Sequence, residues 1–532
     1  MNPENIIRST LPPFEHPQQP FGEYLRTRIC SQNTDKIAFI DSNTGAKFTY
    51  SQLDKKCNEL GSALAKLNIS QHDAIAFFAD TSIEHSIFIY TAMYLGLTFV
   101  PIPPADGPFE LYGQIDISKA KILIYGKNKV NVIEKMIANP TYLDKINELK
   151  FIVQLNLIEP FPLLVSGKPI SPKVWTSAQL FAMGEGASLP QIPFFPIKDP
   201  ASSIFSIIFT SGTTGNSKAA IYTHRSFMAA AQNVRVKDQD YGLTIGISMP
   251  LGHISGALFT TRSLICGMTI VLIDGNDTEH IVKSVEKFRI NHLIISQVCM
   301  TDMIKKNYSP LYDLSCLKQF CYGGAKFALD LSKSLKKMYK VEMLDLYGAT
   351  EFMGAFNNAV TCPKLLDQEF EPGNIGPVNA NIEMKVIDMN TSAALPPNQQ
   401  GELCLRGPPS FIGYLDNLEE TKASLDSEGW YHTGDVAYYD ERGHIFICDR
   451  IKEVLKFRIW SAFPIELENF MNTHPAVRLT CVVGVRHPTD GMYPRAYVEL
   501  VDNKQTVTEQ DLIKYVEGEY IFFIYISKYK II

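Results

Sequence analysis

IIFTSGTTGNSKAAIYTH, residues 207–224, is the stretch on which the reading of this chain turns. An apolar run over Ile207, Ile208 and Phe209 leads into Thr210, Ser211, Gly212, Thr213, Thr214 and Gly215, and Lys218 follows. A buried strand that breaks into glycines and hydroxylated residues is suited to wrap an anion. Glycine lets the backbone bend closely around it, hydroxyls donate to phosphate oxygens, and a lysine supplies positive charge. The G-x-x-x-x-G-K-[ST] spacing is absent, so this is not a Walker loop. A flexible Ser/Thr/Gly linker is the competing reading, and the preceding strand and following lysine weigh against it.

Outward from this loop, short apolar and β-branched runs alternate with helix-like segments. IAFFA (75–79), KILIYG (121–126), KFIVQL (150–155), SIIFT (206–210), TIVLID (269–274) and HLIIS (292–296) read as strands. YSQLDKKCNELGSALAKLN (50–68) and HIVKSVEKF (280–288) carry helical patterns. The alternation predicts an α/β fold with largely parallel sheets. Near Gly401 the texture changes: GELCLRG and GHIFICDR are β-rich with turn residues, and PIELENFMNTHPAV reads as a helix with a stop. CVVGV and RAYVELV read as two strands, and EQDLIKYVEG as a helix start. The expected organisation is a large, multi-subdomain N-terminal lobe of α/β layers over residues 1–449 and a small mobile α+β lobe over 450–532. The tail over 520–532, YIFFIYISKYKII, has no turn chemistry and reads as an aberrant ending.

Composition narrows the function classes. A chain of 532 residues exceeds one ordinary core, so two to four packed units are expected. With 45% hydrophobic and 20% charged residues it has the balance of a soluble globular protein. A net charge of −6 carries no polyanion-binding signature, so nucleic acid is not an expected partner. The ten cysteines lie far apart with no CxxC pair, which argues against a zinc site or a disulfide framework. The start, MNPENIIRSTLPPF, lacks a secretory pattern. No apolar run reaches the length of a membrane span; the stretch from Ile75 to Pro103 comes nearest, and Asp80, Glu84 and His85 break it.

TSGTTGNSK resembles the glycine-rich signature of the adenylate-forming superfamily of acyl-CoA synthetases, insect luciferases and 4-coumarate ligases. Further motifs follow in the family's order: PLGHISG (250–256), YGGA (322–325), YGATE (347–351), GYLDN…GWYHTGD (413–435) and DRIKEVLKF (449–457). The resemblance covers nearly the whole chain except the tail. It implies a two-step reaction in which a carboxylate attacks the α-phosphate of ATP, giving an acyl-adenylate and pyrophosphate, and a thiol, usually of coenzyme A, then displaces AMP. The charge that grows on phosphorus needs cations and oriented donors already in place. The implied partners are ATP, Mg2+, coenzyme A and an apolar fatty or aryl carboxylic acid.

The resemblance also assigns roles. The catalytic set it implies is Lys218, His253, Thr350, Glu351 and Lys456. Thr210, Ser211, Gly212, Thr213, Thr214 and Gly215 would hold the phosphates with Lys218. Thr350 would donate to the α-phosphate and Glu351 would bind Mg2+, with Gly348 and Ala349 in the same turn. Tyr347 would stack near adenine opposite Gly323, Gly324 and Ala325. Asp435 would accept both ribose hydroxyls, a carboxylate being the natural bidentate acceptor for a vicinal diol. Arg450 would add a ribose or phosphate contact, and Lys452 matches the hinge between lobes. His253, Ser255, Gly324 and Leu346 would line the acyl pocket.

Four departures from the family matter. Ser255 stands where luciferases place an aromatic ring, which argues against a luciferase-type monooxygenase. Leu346 stands where aryl-binding relatives carry glycine, which reshapes the pocket. Lys456, Phe457, Arg458, Ile459, Trp460 and Ser461 replace a segment whose glycine lets pantetheine pass, and Ile459 would stand in that path. The family continues through a lysine-bearing segment after the LIKYV helix; Lys528 and Lys530 lie in no such context, so weak adenylation is expected, and a non-catalytic ATP- or acyl-binding role is the alternative. Many relatives are peroxisomal, but the final Lys-Ile-Ile is not an address of the Ser-Lys-Leu type, which leaves the cytoplasm as the other location.

Overall fold

The computed structural model describes residues 5–71, 73–156, 170–186, 196–210, 218–232, 242–324, 327–357, 374–453, 455–457, 460–462, 464–487, 491–501 and 507–517. Four sheets carry the described chain. An eight-stranded sheet runs in the order Phe352–Asn357, Glu342–Ala349, Gln319–Gly323, His292–Ile294, Thr244–Ile247, Thr269–Leu272, Ile37–Asp41 and Lys47–Thr49. Its six inner strands are parallel, and an antiparallel hairpin closes each end. A seven-stranded sheet is parallel from Ile204–Thr210 through to Lys173–Thr176 and ends in the antiparallel strand Lys218–Thr223.

Local chemistry explains the helices that cover these sheets. Tyr50–Lys66 begins at a capping box in which Thr49 and Gln52 satisfy each other's backbone N–H groups. Ile83–Leu95 is capped by the Ser82 side chain and stopped by Gly96 at φ 71°. All of its residues are buried, so the most apolar part of the sequence is a core helix between two strands, Ala74–Phe78 and Thr98–Pro101. No helix among the described residues is long and apolar enough to cross a membrane. The nine described cysteines are free thiols.

The expected parallel strands make up most of the eight- and seven-stranded sheets, and the β-rich change of texture expected near Gly401 falls on antiparallel strands. Glu383–Ile387, Gly401–Arg406, Tyr431–Tyr439 and Ile445–Arg450 form an antiparallel meander inside a six-stranded sheet, and the long connection between the second and third of these strands carries the helix Leu418–Ser424. A separate four-stranded antiparallel sheet starts at Leu455 and packs with the helices Pro464–Asn472 and Glu509–Glu517 around its own apolar core. Arg450 thus ends the last strand of the large lobe, and residues 451–453 lead from it toward the small lobe.

The helix Gln297–Lys306 of the large lobe grips the small one. Arg478 donates to Asp302 at 3.0 and 3.2 Å and also pairs with Glu499. One helical turn on, Lys305 Nζ donates to the backbone oxygens of His474 at 2.8 Å and Asn472 at 3.2 Å.

Candidate active site

The strand Ile204–Thr210 pairs antiparallel with Lys218–Thr223, and Lys218 lies opposite Thr210. Both residues therefore stand at the neck of the hydroxyl-rich loop. Ser211, Gly212, Thr213, Thr214 and Gly215 lie outside the described residues. Lys218 Nζ is bonded to the Glu420 carboxylate and lies 5.3 Å from the centre of the Tyr414 ring. A segment running beside the Lys218–Thr223 strand brings both partners in: Leu415 donates to Ala219 O at 2.8 Å, and Ile221 to Gly413 O at 2.9 Å. Glu420 sits in the first turn of Leu418–Ser424, where the Asn417 side chain caps its N–H.

Ala349 lies opposite Phe352 in the hairpin of Glu342–Ala349 with Phe352–Asn357, so Thr350 and Glu351 occupy a two-residue turn. Two long-range bonds hold it: Tyr222 Oη donates to Thr350 O at 2.8 Å, and the Phe411 N–H donates to Glu351 O at 2.8 Å. The Glu351 carboxylate accepts from Tyr414 Oη at 2.6 Å and faces Tyr431 Oη at 3.5 Å. Burial pushes both phenol pKa values up, so both remain protonated donors. A carboxylate at a turn ringed by hydroxyls offers hard oxygen donors, the ligand type that Mg2+ takes.

Asp435 on Tyr431–Tyr439 lies opposite Arg450 on Ile445–Arg450. Its carboxylate is 4% exposed, pairs with Arg450 Nε at 2.9 Å and accepts from Tyr347 Oη. Desolvation raises the Asp435 pKa, and the Arg450 charge works against that rise. The Asp435 N–H donates to Thr433 Oγ1 at 3.0 Å, and Arg450 reaches Thr433 O at 3.3 Å. The tyrosine expected to present its ring also holds the carboxylate through its hydroxyl.

These groups border a cavity of about 630 Å3 between the lobes. Gly324, Leu346, Tyr347, Gly348, Asp435, Arg450 and Lys452, all expected at the site, line it. Gly323 is forced: a Cβ there would lie 2.3 Å from Leu346 O on the neighbouring strand. Ala325, Arg458 and Ile459 lie outside the described residues. Lys456 lies on the strand Leu455–Phe457 opposite Ser461. The tail over 520–532 also lies outside the described residues.

His253 and Ser255 do not line this cavity and sit at the start of the helix Ile254–Ile265. The His253 ring caps that helix, with Nδ1 3.2 Å from Ser255 N and 2.7 Å from Ser255 Oγ. Desolvation lowers its pKa, which favours the neutral ring that can accept those bonds. Sequence reasoning missed Tyr414, Tyr431 and Glu420, whose contacts arise only from folding. It also missed Asp345, a buried carboxylate that lines the cavity two residues before Tyr347 and whose pKa burial raises to about 7. An acid inside the otherwise apolar MLDLYG run was the available signal.

Two family models match the chain: one described as AMP-binding enzyme over residues 27–415, and one described as AMP-binding enzyme C-terminal domain over 466–531. The chain is 28% identical over 537 residues to 4-coumarate-CoA ligase 1 of Narcissus pseudonarcissus, covering 98% of this chain and 91% of that protein. It is 27% identical to the peroxisomal OPC-8:0-CoA ligase 1 of Arabidopsis thaliana, covering 93% and 87%. In fold it is similar to ATP-bound MatB from Rhodopseudomonas palustris, with a TM-score of 0.77, 21% identity and 97% and 95% of the two chains covered.

Proposed function

Because this chain belongs to the AMP-binding enzyme family, we propose that it activates a carboxylic acid with ATP and passes the acyl group to coenzyme A. In the first step the acid's carboxylate oxygen attacks the α-phosphorus and the bond to the β-phosphate breaks, releasing pyrophosphate. In the second the thiol, losing its proton, attacks the acyl carbon and AMP leaves.

The observation that supports this reading is Asp435, a buried carboxylate on the wall of the cavity, held by Arg450 and Tyr347. Its two oxygens suit a vicinal diol such as ribose, and Gly323 and Gly324 leave a flat wall beside Tyr347 for a base. From Tyr347 the same strand runs into the Thr350–Glu351 turn, which sets a phosphate end close to the nucleoside end. Glu351 would hold Mg2+, which supplies positive charge beside the phosphate oxygens when bound. Lys218 and Thr350 would stabilise the charge growing on the α-phosphate, and Tyr414 keeps Glu351 oriented. Lys452 lies in the bridge on which the small lobe would turn. His253 and Ser255 would mark the mouth of the acyl pocket, with Leu346 along its side. That both relatives named above are CoA ligases supports coenzyme A as the acceptor.

Pyrophosphate release with ATP, Mg2+ and a panel of fatty and aryl acids tests the proposal. Acid-dependent release is expected, falling about 10²–10³-fold in Lys218→Ala and Glu351→Gln. ATP binding without release under any acid would favour the non-catalytic reading, which the capture of Lys218 by Glu420 also supports.

A further inference from the structure

Arg262 is 7% exposed and lies on the helix Ile254–Ile265 that His253 caps. Its guanidinium donates through Nε at 3.1 Å, and through a terminal nitrogen, to one backbone oxygen, that of Ala230. Ala230 is in the last turn of His224–Gln232, so these bonds cap a helix end. They occupy one edge of a five-donor fork. Among the described residues no carboxylate pairs with Arg262. Desolvation lowers its pKa to about 10, which leaves it charged near neutral pH. A buried cation without an anion is strongly unfavourable, and capping one carbonyl does not neutralise it.

The surroundings point to where an anion absent among the described residues would come from. From Ile254 to Ile265 only Ser255 and Phe259 escape full burial. They stand four residues apart on one helix face, and Arg262 is the next residue along that face. The Arg262 guanidinium lies 5.5 Å from the centre of the Phe259 ring. Gly354, three residues after Glu351, makes room for it: a Cβ there would sit 2.5 Å from a terminal nitrogen of Arg262. The stripe runs from the helix start at His253 and Ser255 to a guanidinium about 10 Å further along the axis.

We propose that Arg262 is the anion-binding end of the acyl pocket and that the acid activated by this protein carries a second carboxylate at its far end. The proposal rests on the reading that His253 and Ser255 mark the mouth of that pocket. A planar fork with a free edge suits a carboxylate. An apolar tail in its place would bury the guanidinium still unpaired, so the site selects against simple fatty acids of the same length.

The test compares matched acids on the full chain with ATP and Mg2+, reading pyrophosphate release: adipate against hexanoate, suberate against octanoate, sebacate against decanoate. The expected result is a kcat/KM about tenfold or more higher for the dicarboxylate in at least one pair. Arg262→Met should abolish that preference by raising activity on the monocarboxylate, and Arg262→Lys should keep part of it. Should Arg262→Met fail to fold, thermal stabilisation of the unaltered protein by the dicarboxylate, and not by its partner, gives the same answer. A monocarboxylate preference at every length, an equal response to ω-hydroxy acids, or a preference unchanged in Arg262→Met would each overturn the proposal and leave adenylation standing. Release with no acid of any class would overturn the adenylation reading and this proposal together.

Discussion

Asp435 and Arg450 face each other across adjacent antiparallel strands, with the guanidinium Nε 2.9 Å from the carboxylate. The carboxylate is buried on the cavity wall, and the arginine beside it and the Tyr347 hydroxyl offset part of the desolvation that raises its pKa. Replacing Asp435 with Ala is expected to weaken ATP binding by about ten- to a hundredfold, as for loss of a charged acceptor pair. Calorimetric titration with ATP measures this, and an unchanged affinity would remove Asp435 from the nucleotide site.

Lys218 stands at the neck of the hydroxyl-rich loop already engaged by Glu420. A phosphate bound at Lys218, as proposed, must displace that carboxylate, so the contact opposes binding. Glu420→Ala should tighten ATP affinity by about three- to tenfold, a modest amount because the pair is partly exposed to screening water. Equal affinity for the two proteins at low and high salt would show that Glu420 does not compete.

Asp345 gives a pH signature to stability. Its pKa is raised by burial to about 7. A raised pKa contributes stability that is complete below the unfolded value near 4 and is lost as pH climbs through 7, because the folded chain must then bury a charge. Asp345→Asn escapes that loss. Its advantage in thermal or urea unfolding should be smallest below pH 4, grow to about 2–4 kcal/mol by pH 8, and level off above. A gap that does not change with pH would contradict the assignment.

The Arg478–Asp302 pair fastens the small lobe to the Gln297–Lys306 helix, and the two carboxylates beside it raise the Arg478 pKa. Arg478→Ala removes a two-pronged contact worth about 1–3 kcal/mol. Trypsin should then cut the bridge at Lys452 several times faster, read by mass analysis of the fragments, with the unfolding midpoint of the large lobe hardly moved. An unaltered cleavage rate would mean that the Lys305 contacts alone hold the lobe.

What could be read in advance follows from how local each signal is. SIIFT and TIVLID form strands where their apolar runs lie, and the Thr49 and Gln52 capping box starts the 50–66 helix through contacts three residues apart. The Thr350–Glu351 turn and the Asp435 wall were equally legible because each is carried by a contiguous motif. Lys218 and Glu420, 202 residues apart, meet only because the chain after Ser410 returns along the Lys218–Thr223 strand. The same holds for Tyr414 against Glu351. Arg262 gave no warning either: one arginine in an apolar helix leaves the helical pattern intact, and that no carboxylate among the described residues pairs with it shows only once its neighbours are in place. The β-rich texture with turn residues near Gly401 was legible, but the pairing order of the antiparallel meander was not, because strand-like runs do not say which neighbour each will pair with.

The strand Glu342–Ala349 carries Asp345 and Tyr347 on the cavity wall and the turn beyond it carries Thr350 and Glu351, with nothing between Tyr347 and Thr350 but Gly348 and Ala349. This makes the two ends of the site a single ruler. Slipping the strand by one residue would turn Tyr347 and Asp345 to the opposite face while dragging the turn along the sheet. Under the proposed function, recognition of the base and handling of the phosphates therefore cannot drift apart by small steps. A protein engineer seeking a different nucleotide would have to leave this ruler untouched and rebuild the walls around it, whereas the acid-binding face proposed on Ile254–Ile265, borne by another element, is free to vary alone.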